Sequence, residues 1–271
     1  MLPTIAARDK MGSPRAYTPK KREQYTSSEE SALYYYFAET LGWGEGLHSR
    51  ITFDFLMEVR SFASGKTILD AGAGHKRFQQ FFSKSEYLTV EHPSGIEMKA
   101  MQGITYDYLA ELDGSMFRDE QSLHAIYSHS VLEHIERPER FFANAFRMLQ
   151  PGGRLFIHCP FMYPEHETPY DFNRFSRYGL SSRLKETGFN IIKILPSSNA
   201  FYGVSAFFLQ SIAQDGANRG FRIENYTMPD GSKIELMSIL NSIISTLNTT
   251  FDDCLYDNDS PIGWICVAER P

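Results

Sequence analysis

Through the middle of the chain, apolar strand-like runs alternate with single helical stretches, and few folds accept that pattern. "TILDAG" from Thr67, "EYLTVEH" from Glu86, "LHAIYSHS" from Leu123, "RLFIHCP" from Arg154, "FNIIKIL" from Phe189 and "GWICVAER" from Gly263 read as strands, with a short one near "GITYDY". Between them, "KRFQQFF" begins a helix, "RPERFFANAFRML" carries the apolar stripe Phe141, Phe142, Ala145, Phe146 and Leu149, and "FSRYGLSSRLKETGF" forms another helix. Pro138 suits a first helical turn, Pro151-Gly152-Gly153 a stop, Ser176 an N-cap and Gly188 a C-terminal stop. Strand, single helix, strand implies a mostly parallel sheet with both faces covered, an α/β fold.

Two further helical stretches, Ser31 to Leu41 and His48 to Phe62, precede this series. Residues 1–28 mix Pro, Ser, Lys and Arg without periodicity and read as a flexible tail, leaving one domain over 29–271. Within it, N-terminal helices fill 29–63, the core 64–196 and 262–271, and a helical insertion 197–261. That insertion is far longer than a tight connection needs. Its stretches "VSAFFLQSIA" and "IELMSILNSIISTL" have helical spacing, to pack over the sheet or to offer a homodimer surface.

Bulk properties remove several functions. A formal net charge of -6 disfavours a broad nucleic-acid face, and "PKKRE" is a solvated basic cluster. Three widely spaced cysteines, Cys159, Cys254 and Cys266, fit neither a disulfide framework nor a zinc knuckle. With no apolar h-region at the start and no uncharged run long enough for a bilayer, the expected setting is cytoplasmic, without a membrane partner.

The glycine turn carries the chemistry. "TILDAGAGHKRF" runs from a strand into Asp70-x-Gly72-x-Gly74. A dinucleotide fingerprint needs a third glycine where Arg77 stands, and no G-x-x-x-x-G-K-[ST] is present. A carboxylate at the strand's end repels a pyrophosphate and suits a cofactor bearing an ammonium. Glu91 ends the next strand, where it can accept both hydroxyls of a ribose.

With these residues the chain resembles the class I S-adenosylmethionine-dependent methyltransferases, specifically the small-molecule group called type 11. "ILDAGAG", "TVEH", "AIYSHSVLEHIERPERFFANAFRMLQPGGRLFIHCPF" and "PYDFNRFSRYGLSSRLKETGF" carry the resemblance. It implies a Rossmann-like seven-stranded sheet whose last strand is antiparallel, and S-adenosylmethionine as cofactor. It also implies that Asp70, Gly72 and Gly74 surround the methionyl portion and Glu91 the ribose. Asp107 would approach the adenine with Tyr108 beside it, and Ser128 would face the cofactor through its backbone. Where the family often has a third glycine this chain has Lys76, expected to narrow the methionine end.

Methyl transfer needs alignment above all, and a base when the acceptor is a hydroxyl. The loop "CPFMYPEHETPYDFNRFS" concentrates His166, Asp171, Arg174, Tyr163 and further aromatics. His166 is the candidate base, oriented by Asp171, with Tyr163 and Arg174 holding the acceptor. Asp171 and Arg174 bracing the following helix is the plainer alternative. His158 and His166 with Glu165 and Glu167 form no H-E-x-x-H or C-x-x-C pattern, so no metal is expected. The loop is similar to that of members from glycan-modifying pathways, which suggests a saccharide hydroxyl or a related small polar metabolite as acceptor. A nicotinamide-dependent oxidoreductase and a non-catalytic adenosylmethionine-binding scaffold are the competing readings. The aromatic run Tyr34 to Phe37 is expected to cover the pocket in part or, as the alternative, to pack on the outside of the sheet.

Overall fold

The computed structural model describes residues 19–42, 46–97, 103–218, 226–227, 233–234, 242, 246 and 260–271. Residues 1–18 of the expected tail, Cys254, and most of the second helical stretch of the insertion lie outside them. Helix α1 (Ser28–Tyr35) starts where Ser27 Oγ accepts the Glu30 N–H at 3.1 Å, a side-chain cap for an orphan donor. A π-turn at Tyr36–Thr40 continues it. Tyr34 and Phe37 turn inward onto Phe53 of α2 (Leu47–Ala63). Ordered packing begins before residue 29, because Tyr25 is only 4% exposed and its hydroxyl donates to Asp54 Oδ1 at 2.5 Å.

Among the described residues, seven strands form one sheet in the order β3-β2-β1-β4-β5-β9-β6. These are β1 (Thr67–Ala71), β2 (Glu86–Glu91), β3 (Tyr108–Leu109), β4 (Leu123–His129), β5 (Leu149–Pro160), β6 (Asn190–Pro196) and β9 (Gly263–Glu269). Pairings from β3 across to β5 are parallel, while β9 runs antiparallel to both β5 and β6. The expected Rossmann-like architecture, closing antiparallel strand included, is therefore present. A pair of short strands, β7 (Tyr226–Thr227) and β8 (Lys233–Ile234), stands apart from this sheet.

Successive strand residues point to opposite faces and build two cores. Ile68, Ala125, Tyr127 and Phe156 face α2 and the phenylalanines of the glycine-turn segment. Leu69, Ala71, Ile126 and Ile157 face α3 (Pro138–Met148) and α4 (Arg177–Thr187), against Phe141, Phe142, Leu180 and Leu184. Each buried Leu, Ile or Phe among them stabilises by about 1.5–3 kcal/mol. Ser176 caps α4 by accepting the Gly179 N–H, and Gly188 ends it at φ 104°, as its sequence suggests. From the insertion, α5 (Ala200–Asn218) is helical.

Two elements differ from expectation. "KRFQQFF" makes only a 3-10 turn at Gln79–Phe82, because Phe81 and Phe82 are both drawn fully into the core beneath α2. Helix α3 ends at Met148, and Pro151-Gly152-Gly153 belong to the start of β5. There the Gly152 N–H donates to the Arg270 carbonyl, while Arg270 Nη1 donates to the carbonyls of Phe146, Arg147 and Leu149 and so closes the helix. No helix among the described residues is long and apolar enough to cross a membrane.

Candidate active site

A cavity of about 1050 Å³ opens at the carboxyl ends of β1, β2, β4 and β5, where open α/β sheets gather their ligands. At one end stand the glycine turn, Asp70 and Glu91; at the other stand Glu133, His134, Tyr163 and His166. The last residues of the N-terminal helical segment, Leu41 and Gly42, also reach it. The aromatics before them do not line it. Tyr34 and Phe37 fill the core, Tyr35 is exposed, and the Tyr36 hydroxyl donates to the Arg77 carbonyl.

The turn is built for close approach. Gly72 has φ 80°, and a Cβ there would lie 2.4 Å from a Val131 methyl. The Gly74 N–H donates to Glu91 Oε2 at 2.8 Å and the His92 N–H to Oε1 at 2.9 Å, which fixes the carboxylate across the turn with lone pairs to spare. Lys76 adopts φ 53° at the position of the missing glycine, but its ammonium lies over the Tyr106 ring, away from the cavity. It does not narrow the methionine end. Asp70 is 4% exposed and accepts the Tyr87 hydroxyl at 2.6 Å. Burial pushes its carboxyl up to about 7, helped by the nearby Glu91 charge and opposed by the Tyr87 hydrogen bond and Lys76.

Three residues expected at the cofactor do not line the cavity. Asp107 accepts the Thr89 N–H and hydroxyl, each at 2.8 Å, bracing β2. Its burial favours the neutral acid, but those hydrogen bonds outweigh it and hold the carboxyl below the usual range. The Tyr108 hydroxyl takes a hydrogen bond from Arg118, and its ring packs on Phe117. Ser128 is fully buried within β4, and it is its neighbours His129 and Ser130 that reach the cavity. Glu111, two residues past β3, lines the cavity and was missed, although it obeys the strand-end rule that singled out Glu91.

At the opposite end, Glu133 is 1% exposed; its Oε1 lies 3.8 Å from His134 Nε2 and 3.9 Å from His166 Nε2. Burial pushes its carboxyl up to about 7, with His134 and Arg174 pulling the other way. Asp171 Oδ2 accepts the His166 N–H at 2.9 Å and lies 3.2 Å from His166 Nδ1, and the Tyr163 ring stands edge-on to the imidazole. His166, Asp171 and Tyr163 are thus together. Arg174 is not part of the cavity wall. It donates to Asp171 through two nitrogens, at 2.5 and 2.7 Å, and to the carbonyls of Tyr163, Pro164 and Asn173, which uses its whole guanidinium internally. Arg174 braces the loop itself and not the following helix, and it does not line the cavity as an acceptor-binding residue would.

Three more histidines face the cavity between these ends, and only His158 drew notice in the sequence. His129 stacks on His158 at 4.2 Å, and His48 lies 5.9 Å from His158. Burial pushes His129 down to about 3 and lowers His48 and His158 also, so all three rings are neutral at neutral pH. Cys159 and Cys266 are buried thiols, and burial raises both above their ordinary range.

Residues 69–157, from the glycine strand through most of β5, match the family model described as a methyltransferase domain. Over those residues the chain carries a methyltransferase domain. No curated protein matches the chain in sequence. Among solved structures, the methyltransferase domain and its surroundings are similar to an S-adenosylmethionine-dependent methyltransferase from Mesorhizobium loti, at 15% identity and TM-score 0.51. That match covers 83% of this chain and 100% of that one. A methyltransferase from Archaeoglobus fulgidus is similar at 14% identity and TM-score 0.50, over 87% and 99%. Phosphoethanolamine N-methyltransferase 2 of Haemonchus contortus, solved with S-adenosyl-L-methionine, matches at 17% identity and TM-score 0.46 over 80% of this chain. The chain spans about half of that enzyme's length, 52%. At such identities the likeness concerns the fold.

Proposed function

We propose that this methyltransferase domain moves a methyl group from S-adenosylmethionine to a hydroxyl of a small polar acceptor, a saccharide or a related metabolite. The observation that carries the reading is one cavity joining the glycine turn and Glu91 at one end to the polar cluster of Glu133, His134 and His166 at the other. The residues present suit the cofactor. Gly72 leaves no side chain in the turn, Asp70 offers a buried carboxylate to an ammonium, and Glu91 keeps lone pairs for a ribose diol. Bound there, S-adenosylmethionine supplies a methyl already activated by its sulfonium.

The protein's part is to align and to exclude water, and alignment of this kind contributes about 7–11 kcal/mol to lowering a barrier. Tyr163, Tyr170 and Phe172 at the cavity wall offer apolar faces to a ring, and the imidazoles and carboxylates beside them suit its hydroxyls. The test is calorimetric titration with adenosylhomocysteine and with NADH, followed by a screen of saccharides and other hydroxylated metabolites for methyl acceptance. Adenosylhomocysteine should bind and NADH should not. The reverse result would return the site to a nicotinamide enzyme, and binding with no acceptor found would favour a scaffold.

A further inference from the structure

We propose that Glu133, His134 and His166 form a binding site for a divalent transition-metal cation at the acceptor end of the cavity. One ligand atom from each lies within 4.8 Å of the other two. The Oε1 of Glu133 is 3.8 Å from His134 Nε2 and 3.9 Å from His166 Nε2. A cation bound about 2.0–2.2 Å from nitrogen and oxygen ligands spaces them roughly 3–4 Å apart, so these side chains need move by less than an ångström.

Both imidazoles are oriented for ligation. His134 Nδ1 is 2.7 Å from the Tyr170 carbonyl, and His166 Nδ1 is 3.2 Å from both Asp171 Oδ2 and the Pro164 carbonyl. In the tautomer that donates the Nδ1 proton to such an oxygen, Nε2 keeps its lone pair, the outer arrangement that fixes metal-bound histidines. Two such lone pairs therefore converge on a carboxylate oxygen, an assembly of acceptors that a cation reconciles. The second oxygen of Glu133, Oε2, has no hydrogen-bond partner among the described residues, although the side chain is 1% exposed and forms part of the cavity wall. Leaving a carboxylate oxygen unpaired at that depth is costly, and a cation offsets the cost.

Two imidazoles and one carboxylate favour Zn²⁺, Fe²⁺ or Mn²⁺ over Ca²⁺, and three protein ligands leave open positions toward the cavity. A hydroxyl brought there becomes more acidic, its proton passing to cavity water. His166 then serves as a ligand, not as the general base its sequence suggests, and the expectation of no metal is revised. The ligands escaped motif reading because Glu133-His134 and His166 lie on opposite sides of β5 in the chain. The role of the cation rests on the methyl-transfer reading; its binding does not.

The full-length protein, stripped with chelator, is titrated with Mn²⁺ by electron paramagnetic resonance and with Zn²⁺ by calorimetry. Adenosylhomocysteine binding is measured on the same samples. About one cation should bind per chain, and His134→Ala, His166→Ala and Glu133→Gln should each weaken it tenfold or more, as disturbed metal sites do by about 10–100-fold. Glu133→Gln keeps the side-chain shape, and unchanged circular dichroism with retained adenosylhomocysteine binding certifies the fold. Wild-type protein that takes up neither cation stoichiometrically, or variants that bind as tightly as wild type, would overturn the proposal. Cation uptake without adenosylhomocysteine binding supports the site and counts against the cofactor reading; the opposite pattern does the reverse.

Discussion

Single residues divide the site into parts that tolerate change differently. Glu91 is held by two backbone N–H groups, and the proposed function assigns it to a ribose diol. Glu91→Ala should weaken adenosylmethionine binding at least tenfold, about 1.4 kcal/mol, while the protein stays folded. Calorimetry on the folded variant decides it, and an unchanged affinity would remove Glu91 from the cofactor site. Gly72 sets a steric condition as well, because its φ of 80° is strained for any side chain and Val131 occupies the space a Cβ needs. Gly72→Val should abolish adenosylhomocysteine binding in a protein that still shows a cooperative, if lowered, melting transition. Normal binding would mean that the turn has been misassigned.

At the scale of elements, the loop from Phe161 to Phe175 is organised by one ion pair. Arg174 clamps the Asp171 carboxylate, 3% exposed, and ties down three backbone carbonyls, which positions Tyr163 and His166 at the cavity. Arg174→Ala leaves the Asp171 carboxylate without its cation in a part-buried setting, and losing hydrogen bonds to a charged group there costs about 1.5–3 kcal/mol. Arg174→Lys should rescue little, since an ammonium cannot reproduce the planar fork. Chemical denaturation measures both, and a Lys variant as stable as wild type would sink the bracing role. Asp171 and Arg174 also mark how much of the site was legible in sequence. Their clustering with His166 was visible, but whether Arg174 faced substrate or backbone depended on where five donors point, which no spacing reveals. Strand–helix alternation disclosed the sheet because burial on both faces writes itself as apolar runs. The helix after the glycine turn failed because Phe78, Phe81 and Phe82 serve the core beneath α2, a tertiary demand that outweighs local helical pattern. Asp107 does not line the cavity, because a short strand separates it from Glu111, which does.

The sheet as a whole buries Asp70, since side chains of the neighbouring strands, Tyr87 and Tyr127 among them, crowd its carboxyl at the edge of the cavity. That is a global property with a measurable signature. With its carboxyl raised to about 7, above the ordinary 3.8, the folded protein holds a proton there that the unfolded chain has already lost. Stability from this group is therefore full below about 3.8, falls as pH rises toward 7, and stays low above it. Asp70→Asn should raise the melting temperature of the ligand-free protein at pH 8 and change it little near pH 4. Cofactor affinity should run the other way, because an ammonium selects the ionised carboxylate. In the wild type it should climb with pH up to about 7 and then level off, with binding below 7 releasing a proton from Asp70. Calorimetry in two buffers of different ionisation enthalpy reads that proton directly. In Asp70→Asn the proton release should vanish and the affinity should be weak at every pH. A wild-type profile that is flat between pH 6 and 8, or one that the Asn variant reproduces, would place the ammonium away from Asp70 and leave this buried acid a structural role alone.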